Sequence, residues 1–270
     1  MHILVATGGS PHSQTALHLT GTLAAATGAS VTLLTVAASE AHRASAETIS
    51  LHASAALREW VAEVETRLSV GPAAASILSE ANARNYDLLV IGERRGHKLI
   101  HRIVASTVER LTERAPCPVL VARSAGLPGR ILICESSRRP LVVQRLVDKL
   151  SPIVDICRQA TLLHVMSQIA AGPGVAGEDL RDDAEHHIQR GTPEGRLLRE
   201  GLDVLAEAGV SAWPRLRHGR VVDEVVAESS NEAYDLIVIG AFRATGWDRM
   251  MLSDQARAIL AGTHEPLLVL

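Results

Sequence analysis

The chain has 270 residues, 47% of them hydrophobic, and a formal net charge of -3 at pH 7. This length suits one large domain or two of ordinary size, and the hydrophobic fraction can fill their cores. Only 2% of the residues are aromatic and there is no basic excess. Nucleic acid is therefore not expected as a main partner, because its binding relies on cationic surfaces and aromatic stacking.

The amino-terminal segment MHILVATGGS has no cationic region followed by a long apolar stretch, and no apolar run reaches membrane-spanning length. We therefore expect a cytoplasmic protein without a membrane partner. The three cysteines, Cys117, Cys134 and Cys157, are scattered and odd in number, which predicts neither a disulfide framework nor a CxxC metal site. The twelve histidines form no HExxH pattern, so no metal site is expected.

The sequence repeats itself once. ILVA at 3–6 matches ILIC at 131–134, and YDLLVIG at 86–92 matches YDLIVIG at 234–240. The offset grows from 128 residues (3 to 131) to 148 residues (86 to 234), so the second copy holds 20 additional residues between these points. Such self-similarity predicts two copies of one folding unit.

The copies predict two domains, residues 1–124 and 129–270. The glycine-rich and proline-containing segment SAGLPGR at 124–130 joins them. The additional residues of the second copy are expected near 167–190, a polar stretch with glycines and an acidic run that is typical of an exposed loop.

Short, continuous apolar runs alternate with helical periodicity in each copy, which is typical of a parallel sheet covered by helices on both faces. In the first copy the pattern predicts strands near 2–7, 31–36, 67–70, 87–91 and 118–122, and helices near 12–27, 44–66, 72–84 and 106–114. In the second copy it predicts strands near 130–135, 160–165, 212–217, 235–239 and 266–270, and helices near 139–150, 192–208, 221–230 and 254–261. The fold class is therefore α/β, and ligands are expected at the carboxyl ends of the strands.

The first turn of the first copy reads ATGGSPHS at 6–13. Gly8 and Gly9 permit positive φ and close backbone approach, Ser10 suits a helix cap, and Pro11 suits the first helical position. Two interpretations remain open, a well-capped tight turn and the floor of a ligand site. The turn is faintly similar to the SGGxDS loop of ATP pyrophosphatases, but the Asp of that loop would fall on Pro11, which counts against such an enzyme.

The fourth turn of the first copy combines glycines, arginines and a helix start, in the order Gly92, Arg94, Arg95, Gly96, Ala105, Ser106 and Thr107. Ser106 with Glu109 forms a capping box, which predicts that the helix begins at Ser106. A helix amino terminus suits a phosphate group, and Arg94 and Arg95 would add charge-assisted contacts. The alternative is that the arginines are solvated and the cap only starts a helix.

The tandem copies, the start ILVATGGSPHS, the strand YDLLVIG, the glycine loop, the STVE cap and the segment ERAPCPVLVAR together resemble the universal stress protein family. The resemblance implies two flavodoxin-like or Rossmann-like domains, each a five-stranded parallel sheet of order 3-2-1-4-5. Some members of this family bind ATP or related adenine nucleotides through a loop of the form GxxGx9G[S/T], and others lack the loop and bind none.

In the first copy Gly92 matches the first glycine of that loop, Arg95 stands at the second with Gly96 one place later, and Ala105 with Ser106 stands for the Gly-Ser pair. Members that bind ATP usually carry an Asp where this chain has Gly8, and Val36 matches the position whose backbone contacts adenine. The expected site for ATP, with Mg²⁺, comprises Thr7, Gly8, Gly9, Ser10, Val36, Gly92, Arg94, Arg95, Gly96, Ala105, Ser106 and Thr107.

The second copy departs further from the motif. Gly240 is kept, but Arg243 stands at the second glycine, and Ser253 with Asp254 stands at the Gly-Ser pair. An Asp there satisfies the cap itself and places a negative charge where a phosphate would lie, which disfavours binding by roughly 1 to a few kcal/mol. The first turn, CESSRRP, has no glycine and adds the carboxylate of Glu135. The second copy is therefore predicted to bind no nucleotide.

The last strand, EPLLVL at 265–270, leaves an apolar sheet edge that invites pairing. The resemblance implies that strands 118–122 and 266–270 associate, so that the chain forms an intramolecular pseudo-dimer, with a homodimer as a further possibility. Two functions stay open, a regulatory protein that binds an adenine nucleotide in its first copy and an interaction protein that binds none. No general base is evident, so turnover is not expected beyond the slow ATP hydrolysis of some family members.

Overall fold

The computed structural model describes residues 1–93, 107–166, 183–240 and 254–270. Over these residues the strands are β1 (His2–Thr7), β2 (Ser30–Ala37), β3 (Val64–Val70), β4 (Leu88–Gly92), β5 (Val119–Ala122), β6 (Arg130–Glu135), β7 (Gln159–Met166), β8 (Ser211–His218), β9 (Leu236–Ile239) and β10 (Leu267–Val269). The helices are α1 (Pro11–Thr27), α2 (Arg43–Arg58), α3 (Ala73–Ala83), α4 (Thr107–Arg114), α5 (Val142–Asp155), α6 (Ala184–Arg190), α7 (Pro193–Glu207), α8 (Val221–Asn231) and α9 (Asp254–Gly262). The predicted α/β fold class is confirmed.

The chain forms two compact units. The described part of the first comprises residues 1–93, 107–127 and 266–269, and that of the second comprises residues 128–166, 183–240, 254–265 and 270. Each unit contains the core of one sequence copy, and the carboxyl-terminal strand β10 belongs by its contacts to the first unit.

The strands of the first unit follow the order β3-β2-β1-β4-β5-β10. The first five are parallel, and Ile3 lies opposite both Val31 of β2 and Leu88 of β4. The central strands are inaccessible to solvent on both faces, as in Leu4, Val5 and Leu89, which are 0% exposed. Burial on both faces explains why these strands are continuous apolar runs rather than alternating ones.

The strands of the second unit follow the order β9-β6-β7-β8, all parallel. Ile131 lies opposite Ala160 of β7 and Leu236 of β9, as the corresponding Ile3 does in the first unit. The two copies therefore place their first strand at the same position in the sheet, with the turn after it at the carboxyl edge.

Strand β10 pairs antiparallel with β5, with Leu267 opposite Val121 and Val269 opposite Val119. The pairing expected between residues 118–122 and 266–270 is thus observed. It covers an apolar edge whose backbone groups would otherwise lack partners.

The sequence prediction of a helix at 44–66 is wrong at its carboxyl end. Helix α2 ends at Arg58 and β3 begins at Val64, paired with β2 from its first residue. The indole of Trp60 packs on α1, where a Cβ at Gly21 would lie 2.5 Å from its Cδ1 atom. This contact turns the chain away from α2, and pairing with β2 then determines the conformation of 64–70.

The helix predicted at 139–150 is also misplaced. Helix α5 runs on to Asp155 through a kink at Leu150, where φ is -135° and ψ is 39°, and it contains Pro152. The kink lets the helix accommodate the proline that ends a regular helical pattern. Helix α6 was not predicted; it falls in the expected insertion, whose residues 167–182 lie outside the described residues. Over the described parts of the chain, no helix has both the length and the apolarity needed to cross a membrane.

Candidate functional site

The turn after β1 is open at Gly8. Thr7 is buried and its Oγ1 accepts a hydrogen bond from the Gly9 N–H at 3.2 Å. Gly9 has a φ of +78°, and a Cβ there would lie 2.7 Å from Cδ1 of Ile49. At exposed Gly8, in contrast, a Cβ would meet no heavy atom within 4 Å. The fold therefore requires glycine at position 9 but not at position 8.

Helix α1 has the predicted cap. The hydroxyl of Ser10 accepts a hydrogen bond from the Ser13 N–H at 3.3 Å, and the Ser13 hydroxyl donates to the Ser10 carbonyl at 2.7 Å. Pro11 occupies the first turn of the helix. The first turn thus ends in a preorganised helix start that contains no acidic side chain.

Gly92 has a packing role. A Cβ at this position would lie 2.0 Å from the carbonyl oxygen of His12 and 2.9 Å from the backbone nitrogen of Ser13. The end of β4 therefore touches the backbone of the first turn of α1, an approach that only glycine permits. The contact places the end of β4, from which the fourth turn departs, against the first turn of α1.

Two further residues lie at this edge on β2. Val36 is half-buried and pairs with Ser69 of β3. Thr35 is opposite Thr7 and is 0% exposed, yet in the described part of the chain its Oγ1 atom has no hydrogen-bond partner. Sequence reasoning did not single out Thr35, because a threonine in an apolar strand gives no sign of whether its hydroxyl is satisfied.

The structure describes only the two ends of the fourth turn. Glu93 follows Gly92 and accepts a hydrogen bond at 2.6 Å from the Nε of Arg123, whose side chain is 2% exposed, so this carboxylate is neutralised. Helix α4 begins at the exposed Thr107. The remaining predicted residues, Arg94, Arg95, Gly96, Ala105 and Ser106, lie outside the described residues, as does the expected cap at Ser106.

The second unit has a different first turn. Glu135 ends β6 at the position that corresponds to Thr7, and it is only 6% exposed. One carboxylate oxygen, Oε1, accepts hydrogen bonds from the N–H groups of Ser136 at 3.0 Å and Val142 at 2.9 Å, while Oε2 accepts one from Val143 at 3.1 Å. The amides at the start of α5 therefore already bind an internal anion. Burial raises the pKa of Glu135, although these N–H groups and Arg139 act in the opposite direction.

A cavity of about 230 Å³ adjoins this carboxylate. Glu135 and His164 contribute polar walls, and Val225, Ile239 and Ile259 contribute apolar ones. The Nδ1 atom of His164 lies 3.1 Å from the carbonyl oxygen of Glu135, which fixes the orientation of the ring. Sequence reasoning noticed the carboxylate of Glu135 but not that it caps α5, since the capped amides lie seven and eight residues further along the chain.

The start of α9 adds a second carboxylate on this side of the second unit. Asp254 is the first residue of the helix and is exposed, and the two residues that follow it, Gln255 and Ala256, line the cavity. Over the described residues no group of three or more His, Cys, Asp or Glu side chains is placed to hold a metal ion.

The model of the universal stress protein family matches residues 1–123 and 154–270. A universal stress protein from Archaeoglobus fulgidus DSM 4304 has a similar structure, with a TM-score of 0.71, 16% sequence identity, and coverage of 99% of this chain and 97% of that one. A functionally unknown protein from Pseudomonas aeruginosa PAO1 superposes with a TM-score of 0.67 at 18% identity, over 100% of this chain and 92% of that one. No curated protein matches the chain.

The structural likenesses lie below 25% identity and show the fold alone, whereas the family match covers most of both copies. The resemblance to this family is thereby confirmed. The chain belongs to the universal stress protein family.

Proposed function

We propose that this protein binds an adenine nucleotide, ATP with Mg²⁺, in its first copy, and that its second copy takes no nucleotide. The observation that carries the proposal is the contrast between the two first turns. The turn at Gly8 is exposed and free of carboxylates, whereas Glu135 fills the corresponding helix start of the second copy. In the second copy a phosphate would meet the like charge of Glu135 and amides that already bind it, whereas the engaged N–H groups of Gly9 and Ser13 in the first copy bond only uncharged hydroxyl groups.

In this proposal the first turn, Thr7 to Ser10, forms the floor of the site and the backbone at Val36 faces the base. The phosphates are held by the fourth turn and by the helix start that follows it, and Mg²⁺ offsets their charge. The residues proposed for this role are Gly92, Arg94, Arg95, Gly96, Ala105, Ser106 and Thr107. Among the described residues the Thr35 hydroxyl has no hydrogen-bond partner, which supports a polar occupant at this edge because buried polar groups without a partner are rare.

The first experiment is to purify the protein without added nucleotide, denature it with acid, and identify any released adenine nucleotide by chromatography. About one mole per mole of chain is expected from one competent copy. Two moles would contradict the assignment of the second copy. No released nucleotide, together with no heat on titration with Mg-ATP, would refute binding altogether.

The substitution Gly8→Asp should strengthen ATP binding. It restores the residue that ATP-binding relatives carry, and position 8 has both space and an ordinary φ for it. Gly126→Asp is a matched control, because Gly126 is also exposed with no heavy atom within 4 Å of a built Cβ. The calorimetric Kd for Mg-ATP should fall by about tenfold for the first variant, if the new carboxylate makes one charge-assisted hydrogen bond, and stay unchanged for the control.

The substitution Arg95→Glu should abolish ATP binding while leaving the fold intact, because it reverses a charge proposed to contact the phosphates. Far-UV circular dichroism checks the fold and calorimetry checks the affinity. An unchanged Kd for Mg-ATP in a folded variant would refute the phosphate site.

The alternative function is an interaction protein that binds no nucleotide. Two observations favour it. The Gly9 N–H is already bonded to Thr7, and Gly92 is explained by its contact with α1 alone. The absence of nucleotide in both experiments above would support this function and direct the search to protein partners.

A further inference from the structure

Glu135 is a buried carboxylate without an ion-pair partner among the described residues. It is 6% exposed and is held by three backbone N–H groups. The guanidinium that influences it most directly, that of Arg139, is engaged by both carboxylate oxygens of Glu200. The three N–H groups supply hydrogen bonds but no full positive charge, and no side-chain cation is bonded to Glu135 among the described residues, so a cationic ligand would add a countercharge.

The cavity beside Glu135 can hold such a cation. Its volume of about 230 Å³ corresponds to roughly seven or eight water molecules at about 30 Å³ each. Leu163, Val225, Ile239 and Ile259 supply apolar walls, which suit a hydrocarbon body better than a hydrated metal ion. Over the described residues no metal-binding group of three side chains exists here either.

An anionic occupant is disfavoured on two grounds. The amides of Val142 and Val143 already bind the Glu135 carboxylate, so they are not available to a phosphate. Asp254 at the start of α9 adds a second negative charge near Gln255 and Ala256 on the cavity wall. A neutral occupant would leave the charge of the Glu135 carboxylate without a countercharge.

We propose that the cavity of the second unit binds a small organic cation, a primary or secondary ammonium group on a compact apolar body. The ammonium group donates to the carboxylate of Glu135, and the body packs against Val225, Ile239 and Ile259. The site is independent of the proposed nucleotide site in the first copy. The two copies would thus bind ligands of opposite charge.

Three probes of one shape but different charge test this proposal: benzylamine, benzyl alcohol and benzoate. The Kd of each is measured by following the backbone amide signals of Val142 and Val143 by NMR, since these groups donate to Glu135 and report on its environment. Benzylamine should bind about tenfold more tightly than benzyl alcohol, as expected for one charge-assisted hydrogen bond. Benzoate should not shift these signals.

Two variants should abolish the preference for the amine. Glu135→Gln removes the charge, and Ser136→Lys leaves Glu135 in place but supplies a tethered ammonium group from an exposed position. The second variant keeps the test valid if the first fails to fold. Glu207→Gln, an exposed change of the same charge on α7, is the matched control and should bind benzylamine as the wild type does.

The proposal would be overturned by any of three results. Equal affinity for benzylamine and benzyl alcohol would show a purely apolar pocket. Binding of benzoate, or of no probe at all, would show that Glu135 does not select a cation. Unchanged benzylamine affinity in a folded Glu135→Gln or Ser136→Lys variant would place the amine elsewhere. Because all readouts come from the second unit, these results are separate from those for ATP in the first.

Discussion

Replacing Gly92 by alanine should destabilise the protein by about 3 kcal/mol. The new Cβ would lie 2.0 Å from the carbonyl oxygen and 2.4 Å from the carbonyl carbon of His12. Close carbon–oxygen contacts in proteins lie at about 3.3 Å, so β4 and α1 would have to separate by more than about 1 Å. The two atoms of His12 belong to the backbone, so no rotamer change can relieve the overlap. The loss of stability is therefore expected at the upper end of the range measured for overpacked cores.

Two other glycines calibrate this prediction. A Cβ at Gly240, the counterpart of Gly92 in the second copy, would meet Cγ2 of Val142 at 3.0 Å, a side chain that can yield by a few tenths of an ångström. Gly240→Ala should therefore cost less than about 1.5 kcal/mol. Gly8→Ala meets nothing within 4 Å and should be neutral or stabilise by up to about 1 kcal/mol, because it restricts the unfolded chain.

Urea unfolding followed by circular dichroism measures the three variants against the wild type. Free energies are compared where the slope of the unfolding curve is unchanged, and thermal midpoints give a second readout, with a loss of roughly 6–12 °C expected for Gly92→Ala. If Gly92→Ala lowers the free energy of unfolding no more than Gly240→Ala does, the close approach of β4 to α1 is not the reason for glycine at position 92.

Three further predictions concern buried polar groups. Glu228 is 1% exposed and accepts hydrogen bonds from Tyr234 at 3.0 Å and from Arg217 at 2.6 Å. The substitution Glu228→Ala should lower the free energy of unfolding in urea by about 2–3 kcal/mol, because it leaves both partners unpaired. An unchanged free energy would show that these partners bond to water instead. Burial lowers the pKa of His218 from its ordinary value of 6.5, so the unfolded chain binds the proton more readily and the free energy of unfolding should fall as the pH drops below about 6.5. In the variant His218→Asn the free energy of unfolding should depend less on pH in this range. The same pH dependence in wild type and variant would contradict this prediction. Burial raises the pKa of Cys157 to about 11. Its thiol should therefore react with a disulfide reagent at pH 8 only as fast as the protein unfolds. Rapid modification of the folded protein would contradict the burial of this thiol.

Much of the fold was predictable because its signals are local. Continuous apolar runs such as those around Leu4 and Ile131 predicted buried parallel strands, and the repeat of YDLLVIG at Tyr234 predicted a second copy. The errors arose where a distant contact overrode the local pattern. The chain leaves α2 at Arg58 because Trp60 packs on α1, and no periodicity within 44–66 contains that information.

The candidate site was predictable in outline but not in the roles of its residues. The sequence indicated Gly8, Gly9 and Gly92 together as residues of a ligand loop. The structure gives them different roles. Glycine is required at position 9 by the positive φ and by the contact with Ile49, and at position 92 by the close approach of the α1 backbone. At position 8 neither φ nor a neighbouring atom requires glycine. Which glycine is free for a functional change depends on neighbours that are far away in the chain.

The sequence by itself determined the α/β class, the two copies and the family, because hydrophobic periodicity and repeated motifs are properties of short segments. Only the tertiary structure decided that Glu135 caps α5 beside a cavity and that the Thr35 hydroxyl has no hydrogen-bond partner in the part of the chain that is described. Both depend on which backbone and polar groups meet after folding. Hydrogen bonding and desolvation act between groups brought together in space, and the order of residues along the chain does not specify them.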